Sequence, residues 1–267
     1  MIVVRLAIAC VLAMASTAAA KAWPTPAAGP SASGDPEILF TFDDGPNPTL
    51  TPKVLDLLKQ HHIKAVFFMV GEMAASENKK VPGIIQRIVR EGHVIANHTM
   101  THADLCRVKE PKAIAEIDDG KAAIERVSGM PLVWFRAPFG VRCDRLEAEL
   151  AERATKHFHW DLDPQEWKHG DKAKTVSYVT GSLERSRARN VLLMHDIKPV
   201  TVAALPEILA WLERENAIRE ANGKRPIRVV QAPAVAVEQL PAGFTAWSSD
   251  IVERLRGVRS DLARVLP

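Results

Sequence analysis

The sequence predicts an α/β fold, specifically a distorted (β/α) barrel of about seven parallel strands in a single domain. Segments with the apolar runs typical of strands alternate along the chain with longer segments whose apolar residues recur at helical spacing. Polar side chains gather just after several of the strand-like runs, as they do at the functional end of a barrel. The chain of 267 residues is 47% hydrophobic, which is enough to form a large buried core.

Seven short, apolar segments rich in β-branched and aromatic residues are predicted to be strands. They are residues 38–42, 65–70, 94–97, 132–136, 157–162, 191–195 and 227–230. Six segments between them have helical periodicity, with Thr49 and Thr201 as expected N-caps. They are residues 51–61, 81–91, 111–127, 144–153, 174–188 and 202–216. A doubly wound open sheet would show the same alternation, but its typical glycine-rich phosphate loop is missing, so the barrel is favoured.

The start of the chain has the pattern of an export signal. Residues 1–20 contain one charge, Arg5, followed by an apolar run that ends in small residues. We therefore expect a cleaved signal peptide and an exported protein, periplasmic or secreted. An uncleaved membrane anchor is the alternative, and only in that case is a membrane an expected partner.

The rest of the chain divides into three parts. Residues 21–36 are rich in Pro, Ala, Ser and Gly and are predicted to be a flexible linker. Residues 37–231 contain all predicted strands and helices and form the expected domain. Residues 232–267 are predicted to be a C-terminal extension that packs on the barrel, with one amphipathic stretch at 251–265. The net charge of +3 is spread without a dense basic run, so nucleic acid is not an expected partner.

Two cysteines, Cys106 and Cys143, remain beyond the signal segment. In an oxidising compartment such a pair can form a disulfide, but the spacing alone does not show whether the two residues meet. A disulfide and two separate core thiols are both compatible with the sequence.

Two acidic residues, Asp43 and Asp44, follow the first predicted strand and precede Gly45-Pro46. Neighbouring strand residues point to opposite faces, but a turn here could direct both carboxylates into one cavity. A simple polar turn is the alternative. His98 and His102 follow the third strand at a spacing of i and i+4, which would bring both imidazoles to one side of a helical turn, close enough to share one ion.

Three further strand ends carry polar or aromatic side chains. Arg136 ends the fourth strand and could hold a carboxylate by paired hydrogen bonds. Residues 159–167 place two tryptophans beside three acids, which indicates a lined pocket. His195 ends the sixth strand, where a lone histidine is more often structural than catalytic.

Together these five segments resemble, in order and spacing, the five motifs of the polysaccharide deacetylase family, also called carbohydrate esterase family 4 or the NodB-homology domain. The segments are Thr-Phe-Asp-Asp-Gly-Pro from Thr41, Asn-His-Thr-Met-Thr-His from Asn97, Arg-Ala-Pro-Phe-Gly from Arg136, His-Trp-Asp-Leu-Asp-Pro-Gln-Glu-Trp from His159 and Leu-Leu-Met-His-Asp from Leu192. The resemblance covers most of the chain and implies a distorted barrel that binds a divalent metal, often zinc, and zinc is the metal expected here.

The resemblance also implies roles for individual residues. The implied metal ligands are Asp44, His98 and His102. Asp43 would be the general base, Arg136 would orient it, His195 would be the general acid and Asp163 would pair with His195. The implied substrate-binding residues are Phe139, Trp167 and Leu193. The family usually has Tyr where this chain has Phe139, but it uses the backbone N–H of that residue in an oxyanion hole, so the implied role does not need the phenol.

The expected activity is metal-dependent removal of N-acetyl groups from an N-acetylglucosamine-type polysaccharide, with release of acetate. Peptidoglycan, chitin oligomers and poly-N-acetylglucosamine are all possible substrates at this stage. An O-acetyl ester deacetylase of the acetylxylan type is the alternative, since the same chemistry cleaves the easier ester bond. A catalytically inactive barrel that only binds glycan is a third reading, and it is disfavoured because every implied catalytic position is filled.

Overall fold

A computed structural model of the protein describes residues 35–238. The predicted signal peptide, nearly all of the predicted linker and the amphipathic stretch at 251–265 lie outside the described residues. Within the described part of the chain, no helix combines the length and the apolar character needed to cross a bilayer.

All seven predicted strands are present, and they form one parallel sheet. Their bounds are β1 Glu37–Asp43, β2 Val66–Met69, β3 Val94–Asn97, β4 Trp134–Phe135, β5 Lys156–His157, β6 Arg189–His195 and β7 Arg228–Val229. The order across the sheet is β5-β4-β3-β2-β1-β6, and β7 pairs with the start of β1. The prediction of an α/β fold with parallel strands is therefore confirmed.

The sheet curls until its two sides meet. Leu162, which follows β5, forms a parallel bridge with Leu192 of β6, and the Leu193 N–H donates to the Leu162 carbonyl at 2.9 Å. The segment after β5 thereby returns to the opposite edge strand. The result is a distorted barrel, closed by a short seam between residues 161–162 and β6.

Nine helices occur among the described residues, with one short 3₁₀ turn at Pro138–Gly140. They are α1 Thr51–Gln60, α2 Gly71–Ala74, α3 Val81–Arg90, α4 Glu110–Ser128, α5 Asp144–Glu152, α6 Glu166–His169, α7 Lys172–Arg185, α8 Pro199–Ala221 and α9 Ala232–Glu238. The prediction that Thr49 and Thr201 are the N-caps of α1 and α8 is wrong. The capping positions are Leu50 and Lys198, because Pro52 and Pro199 set the first turns of α1 and α8.

Strand β1 shows how the fold directs residues toward the site. Its apolar residues Ile38, Phe40 and Phe42 pack in the outer layer against helices, while Leu39 packs in a second cluster with residues of the neighbouring strands. Because side chains alternate along a strand, Asp43 lies on the same face as Leu39. The two-residue period of the sequence thus carries this carboxylate to the downstream end of the strand on its inner face.

Candidate active site

The buried guanidinium of Arg136 fixes the carboxylate of Asp43. Arg136 Nη1 donates to Asp43 Oδ1 at 2.7 Å and to Thr41 Oγ1 at 2.8 Å, and its Nε donates to the Phe158 carbonyl at 3.1 Å. The guanidinium also lies 3.9 Å from the centroid of the Phe68 ring. Arg136 is completely buried, so Asp43 is held by a cation that solvent does not screen. This is the contact that the family resemblance implied.

Asp44 turns into the same cavity because the chain leaves the strand conformation at this residue. Its φ is 73°, in the left-handed region, and its N–H donates to the Phe68 carbonyl at 3.2 Å. Aspartate tolerates this region better than most residues do. The turn lets Asp43 and Asp44 line one pocket instead of opposite faces of the sheet.

His98 faces Asp44 with its Nε2 atom. Its Nδ1 lies 2.7 Å from the Arg136 carbonyl, which can only accept, so Nδ1 must carry the proton. The tautomer with the proton on Nδ1 has its lone pair on Nε2, which lies 3.5 Å from Asp44 Oδ1. This tautomer is the one a metal ligand needs.

His102 reaches the same oxygen from an irregular loop. The prediction of a helical turn over residues 98–102 is wrong: Thr99 and His102 have φ values of 68° and 61°. The His102 N–H donates to Thr99 Oγ1 at 2.9 Å, which closes the loop. His102 Nε2 nevertheless lies 3.3 Å from Asp44 Oδ1. Burial, with help from the His98 ring, lowers the pKa of His102 and favours its neutral form.

Asp44, His98 and His102 fit a divalent metal ion. One ligand atom from each lies within 4.8 Å of the others. Ligand atoms held about 2.0–2.1 Å from a tetrahedral ion are about 3.4 Å apart, close to the two separations measured from Asp44 Oδ1. That oxygen is buried and accepts no hydrogen bond from the described residues. Although burial opposes ionisation, the neighbouring histidines lower the pKa of Asp44 to about 2, so the oxygen carries charge at neutral pH.

His195 pairs with Glu166, and the predicted contact between His195 and Asp163 is wrong. His195 Nδ1 lies 2.9 Å from Glu166 Oε1, which also accepts the His195 N–H at 2.8 Å. Glu166 is fully buried at the start of α6. Burial disfavours the imidazolium, but the Glu166 carboxylate outweighs this effect and raises the pKa of His195.

Asp163 lies at the pocket wall, where its Oδ1 accepts the Gln165 N–H at 2.8 Å, and burial raises its pKa. The sequence offered three acids between residues 159 and 167, and the strand pattern does not choose among them. The available signal was the position of Glu166 directly before Trp167, since the short helix α6 directs both toward β6.

The pocket is small and has an aromatic rim. Its cavity volume is about 180 Å³. The predicted residues Phe139, Trp167 and Leu193 line it. Phe139 and Trp167 are 68% and 48% exposed, which places them at the mouth, while Leu193 is buried. The lining residues that the predicted set omitted are Ala137, Trp160 and Lys198.

A disulfide joins two loops of the site. Cys106 and Cys143 are paired, with their Cα atoms 6.0 Å apart. Cys106 follows the His102 loop by four residues, and Cys143 follows Phe139 by the same number. The bond thereby ties the segment of a candidate metal ligand to that of a pocket-lining residue.

Comparisons with known proteins identify the family. The profile described as polysaccharide deacetylase matches residues 31–157. A chitooligosaccharide deacetylase of Bradyrhizobium sp. (strain ANU 289) is 38% identical over 62% of this chain and 74% of its own length. The chain belongs to the polysaccharide deacetylase family. Its named relatives are deacetylases, which are hydrolases that act on carbon–nitrogen bonds, and this protein is such an enzyme.

Two further relatives of this polysaccharide deacetylase support the same family assignment. A peptidoglycan-N-acetylglucosamine deacetylase of Bacillus cereus is 36% identical over 68% of this chain and 65% of its own length. The structure of the peptidoglycan deacetylase PdaC from Bacillus subtilis superposes with a TM-score of 0.63 at 29% identity, covering 77% of this chain and 93% of that one. The curled parallel barrel is therefore the fold of this family as well as of the present chain.

Proposed function

We propose that the protein is a zinc-dependent deacetylase of N-acetylglucosamine-containing polysaccharide, which it hydrolyses to acetate and the free amino sugar. One observation carries the proposal: a single small pocket brings together a fixed carboxylate, a metal-type ligand set and a carboxylate-paired histidine. The residues are Asp43, Asp44, His98, His102 and His195. The names of the relatives, which act on chitooligosaccharide or peptidoglycan, support this class of substrate.

The ligand set of two imidazoles and one carboxylate favours zinc and leaves a coordination position open, as in catalytic zinc sites. When bound there, a divalent cation would polarise the acetamide carbonyl and lower the pKa of an adjacent water molecule. Its ligands would be Asp44, His98 and His102.

Asp43 is placed to remove a proton from the attacking water. Arg136 occupies its Oδ1, so the remaining oxygen, Oδ2, is the one available to accept a proton. That oxygen lies 3.7 Å from His98 Nε2, which places it beside the ligand set. The ion pair with Arg136 prevents the carboxylate from rotating away.

His195 is placed to protonate the leaving nitrogen. Strands β1 and β6 pair in a register that sets Asp43 directly beside His195, so the acid and the base stand at the same level of the barrel. Glu166 raises the pKa of His195, which favours the protonated ring, and its contact with Nδ1 leaves Nε2 available to donate. The N–H of Phe139 is assigned to the developing oxyanion by the family pattern.

The size of the pocket supports the choice of substrate. A volume of about 180 Å³ admits an acetamido arm and part of one sugar ring, while the rest of a polymer lies across the exposed rings of Phe139 and Trp167. Aromatic faces are suited to pack against the apolar faces of sugars.

The test is acetate release by residues 21–267 from N-acetylglucosamine oligomers, peptidoglycan and acetylated xylan. We expect release from the first two, its loss after chelation and its return with zinc. A variant with His195→Ala serves as the matched control for contaminating deacetylase. Activity that survives exhaustive chelation contradicts the metal mechanism, and release from acetylated xylan alone makes the ester deacetylase the correct function.

We also propose that the protein is exported, on the basis of the signal-like residues 1–20. Fusion of residues 1–36 to a reporter enzyme that is active only after export tests this proposal. A reporter that stays inactive contradicts it, and an active reporter of full size in the membrane fraction indicates an uncleaved anchor.

A further inference from the structure

The loop that carries His102 depends on a contact from α4. Residues 99–102 form neither helix nor strand, and two of them have left-handed backbone conformations. Such a loop has few internal hydrogen bonds, so its shape must be fixed from outside. The internal bonds among the described residues are those of Thr99 N–H to Asn97 Oδ1 at 3.0 Å and of His102 N–H to Thr99 Oγ1 at 2.9 Å.

The N–H groups of Gly71 and Glu72 donate to the Thr99 and Met100 carbonyls at 2.9 Å each, and Glu116 supplies the outside contacts nearest to His102. Its Oε2 accepts the Thr101 N–H at 2.7 Å, its Oε1 accepts the Thr101 hydroxyl at 2.5 Å, and its backbone carbonyl accepts the Met100 N–H at 2.8 Å. The side chain is fully buried. One residue of α4 therefore binds two consecutive residues of the loop, directly before His102.

The charge of Glu116 is retained inside the fold. Lys112 Nζ lies 2.6 Å from Glu116 Oε1, one helical turn away. Burial opposes ionisation, but the hydrogen bonds from Lys112 and Thr101 prevail and lower the pKa of Glu116. Hydrogen bonds to a charged acceptor are stronger and more directional than neutral ones, so the Thr101 backbone is held firmly.

The backbone of α4 also abuts the loop at Gly120. A Cβ at this position would lie 2.6 Å from the carbonyl carbon of Thr99. The helix thus presses against one end of the loop through Gly120 and binds its middle through Glu116. Small movements of α4 would be passed to His102.

We propose that Glu116 is a positioning residue for the metal site, acting on His102 through Thr101. The inference rests on the proposed metal role of His102, and Glu116 itself touches neither metal nor substrate. Groups that hydrogen-bond directly to a metal ligand change metal affinity about 10–100-fold when they are lost, and Glu116, whose contact is to the residue before His102, is expected to act near the lower end of that range.

The test compares zinc binding by the metal-free wild-type domain and by its Glu116→Gln variant, measured by calorimetry in competition with a chelator. We expect the Kd for zinc to rise at least about tenfold in E116Q. The visible spectrum of the cobalt-substituted protein should also change, which loss of stability alone would not cause. Glu110→Gln, an exposed acid at the start of the same helix, is the matched control and should bind zinc like wild type.

A second variant keeps the test decisive if E116Q does not fold. Thr101→Val removes the hydroxyl donor to Glu116 at an exposed position and should raise the Kd about 3–10-fold. Unchanged affinity in folded E116Q, or in T101V where E116Q is unfolded, overturns the inference. Absence of zinc binding by the wild-type domain overturns the proposed metal site instead, so the two failures are distinguishable.

Discussion

The two ends of the barrel both contain buried charged residues from strands β1 and β6, but the charges at one end are structural and those at the other end form the candidate active site. At the start of β1, Glu37 is fully buried and accepts from Arg189 of β6 at 2.6 Å, and it also binds Arg228 of β7. At the downstream end of the same strands, Asp43 stands beside His195. One end is an ion-pair cluster that holds three strands together. The other is the candidate active site.

Glu37 and the acids of the site differ in how completely their carboxylate oxygens are satisfied. Both carboxylate oxygens of Glu37 have arginine partners. At the site end, Asp44 Oδ1, Glu166 Oε2 and Asp196 Oδ1 are buried and accept no hydrogen bond from the described residues. Burial also raises the pKa of Asp196 to about 7. Unsatisfied buried groups cost stability, so they are expected where a ligand or a reaction uses them.

The largest expected effect follows from removing a charge at the site end. Asp44→Asn should reduce kcat/KM at least about 1000-fold, equivalent to about 4 kcal/mol of transition-state stabilisation, because the ligand set loses its only anion. Asparagine tolerates the left-handed conformation of this position, so only the loss of the charge that the neighbouring histidines stabilise should lower the free energy of unfolding of the metal-free protein, by about 2 kcal/mol. Kinetics and urea unfolding of both proteins check this. If D44N lost as much free energy of unfolding as a substitution at Glu37, the two ends of the barrel would not differ in their effect on stability.

The reverse result is expected at the other end. Glu37→Gln leaves Arg189 buried without its full counter-charge and should lower the free energy of unfolding by about 3 kcal/mol. The kcat of the folded fraction should remain unchanged, since the substitution lies at the opposite end of β1. Chemical denaturation with parallel assays measures both quantities, and a fall in kcat would show that the two ends are coupled.

Removal of the disulfide tests whether this bond contributes to the stability of the site end of the barrel. Replacing both Cys106 and Cys143 by Ser should lower the free energy of unfolding by about 2–4 kcal/mol, since the bond closes a long loop in the unfolded chain. Denaturation of the oxidised wild type and the double variant gives the difference. Equal free energies of unfolding for the two proteins would mean that the noncovalent contacts of these loops are enough to stabilise them without the disulfide.

The smallest expected effect concerns pH. Glu166→Gln keeps the shape and the hydrogen bonds to His195 but removes the charge that raises its pKa. A general acid must be protonated, and the wild type loses activity as the pH rises through the raised pKa of His195. In E166Q this pKa falls, so the alkaline limb of kcat/KM should move to lower pH, with about a tenfold loss at neutral pH. If the alkaline limb of kcat/KM stays at the same pH in E166Q, the group that titrates in that limb is not His195.

Local patterns predicted the strands well, because each strand is a short apolar run with a fixed period. Residues 94–97 were predicted with the observed bounds, while the strand predicted at 132–136 contains only Trp134–Phe135 in the sheet. The Arg136 N–H still donates to the Asn97 carbonyl of β3, but the Arg136 carbonyl accepts from His98 and its side chain binds Asp43, and the ladder ends there. Tertiary contacts, which the local pattern does not contain, set that boundary.

The predicted site residues converge on one pocket, but the contacts between them depended on backbone geometry. The partner of His195 was assigned to Asp163 because the sequence does not reveal that residues 166–169 turn into a helix whose first residue points at β6. Likewise, the helical spacing of His98 and His102 suggested a helix, whereas Glu116 and Gly120 hold an irregular loop. Both errors concern residues whose conformation is imposed by distant parts of the chain.

The pairing of β1 with β6 has a consequence for how the chain acquires its structure. Residues that pair between the two strands, such as Glu37 and Arg189, lie 152 positions apart in the sequence, and every residue of β1 is buried in the finished barrel. One edge of β1 therefore stays unpaired until most of the domain has been synthesised, because its partner strand β6 lies near the end of the domain. Until then an apolar edge is open to other chains, and folding intermediates with this edge exposed are prone to aggregate. A fragment that ends before residue 189 would retain this hazard permanently.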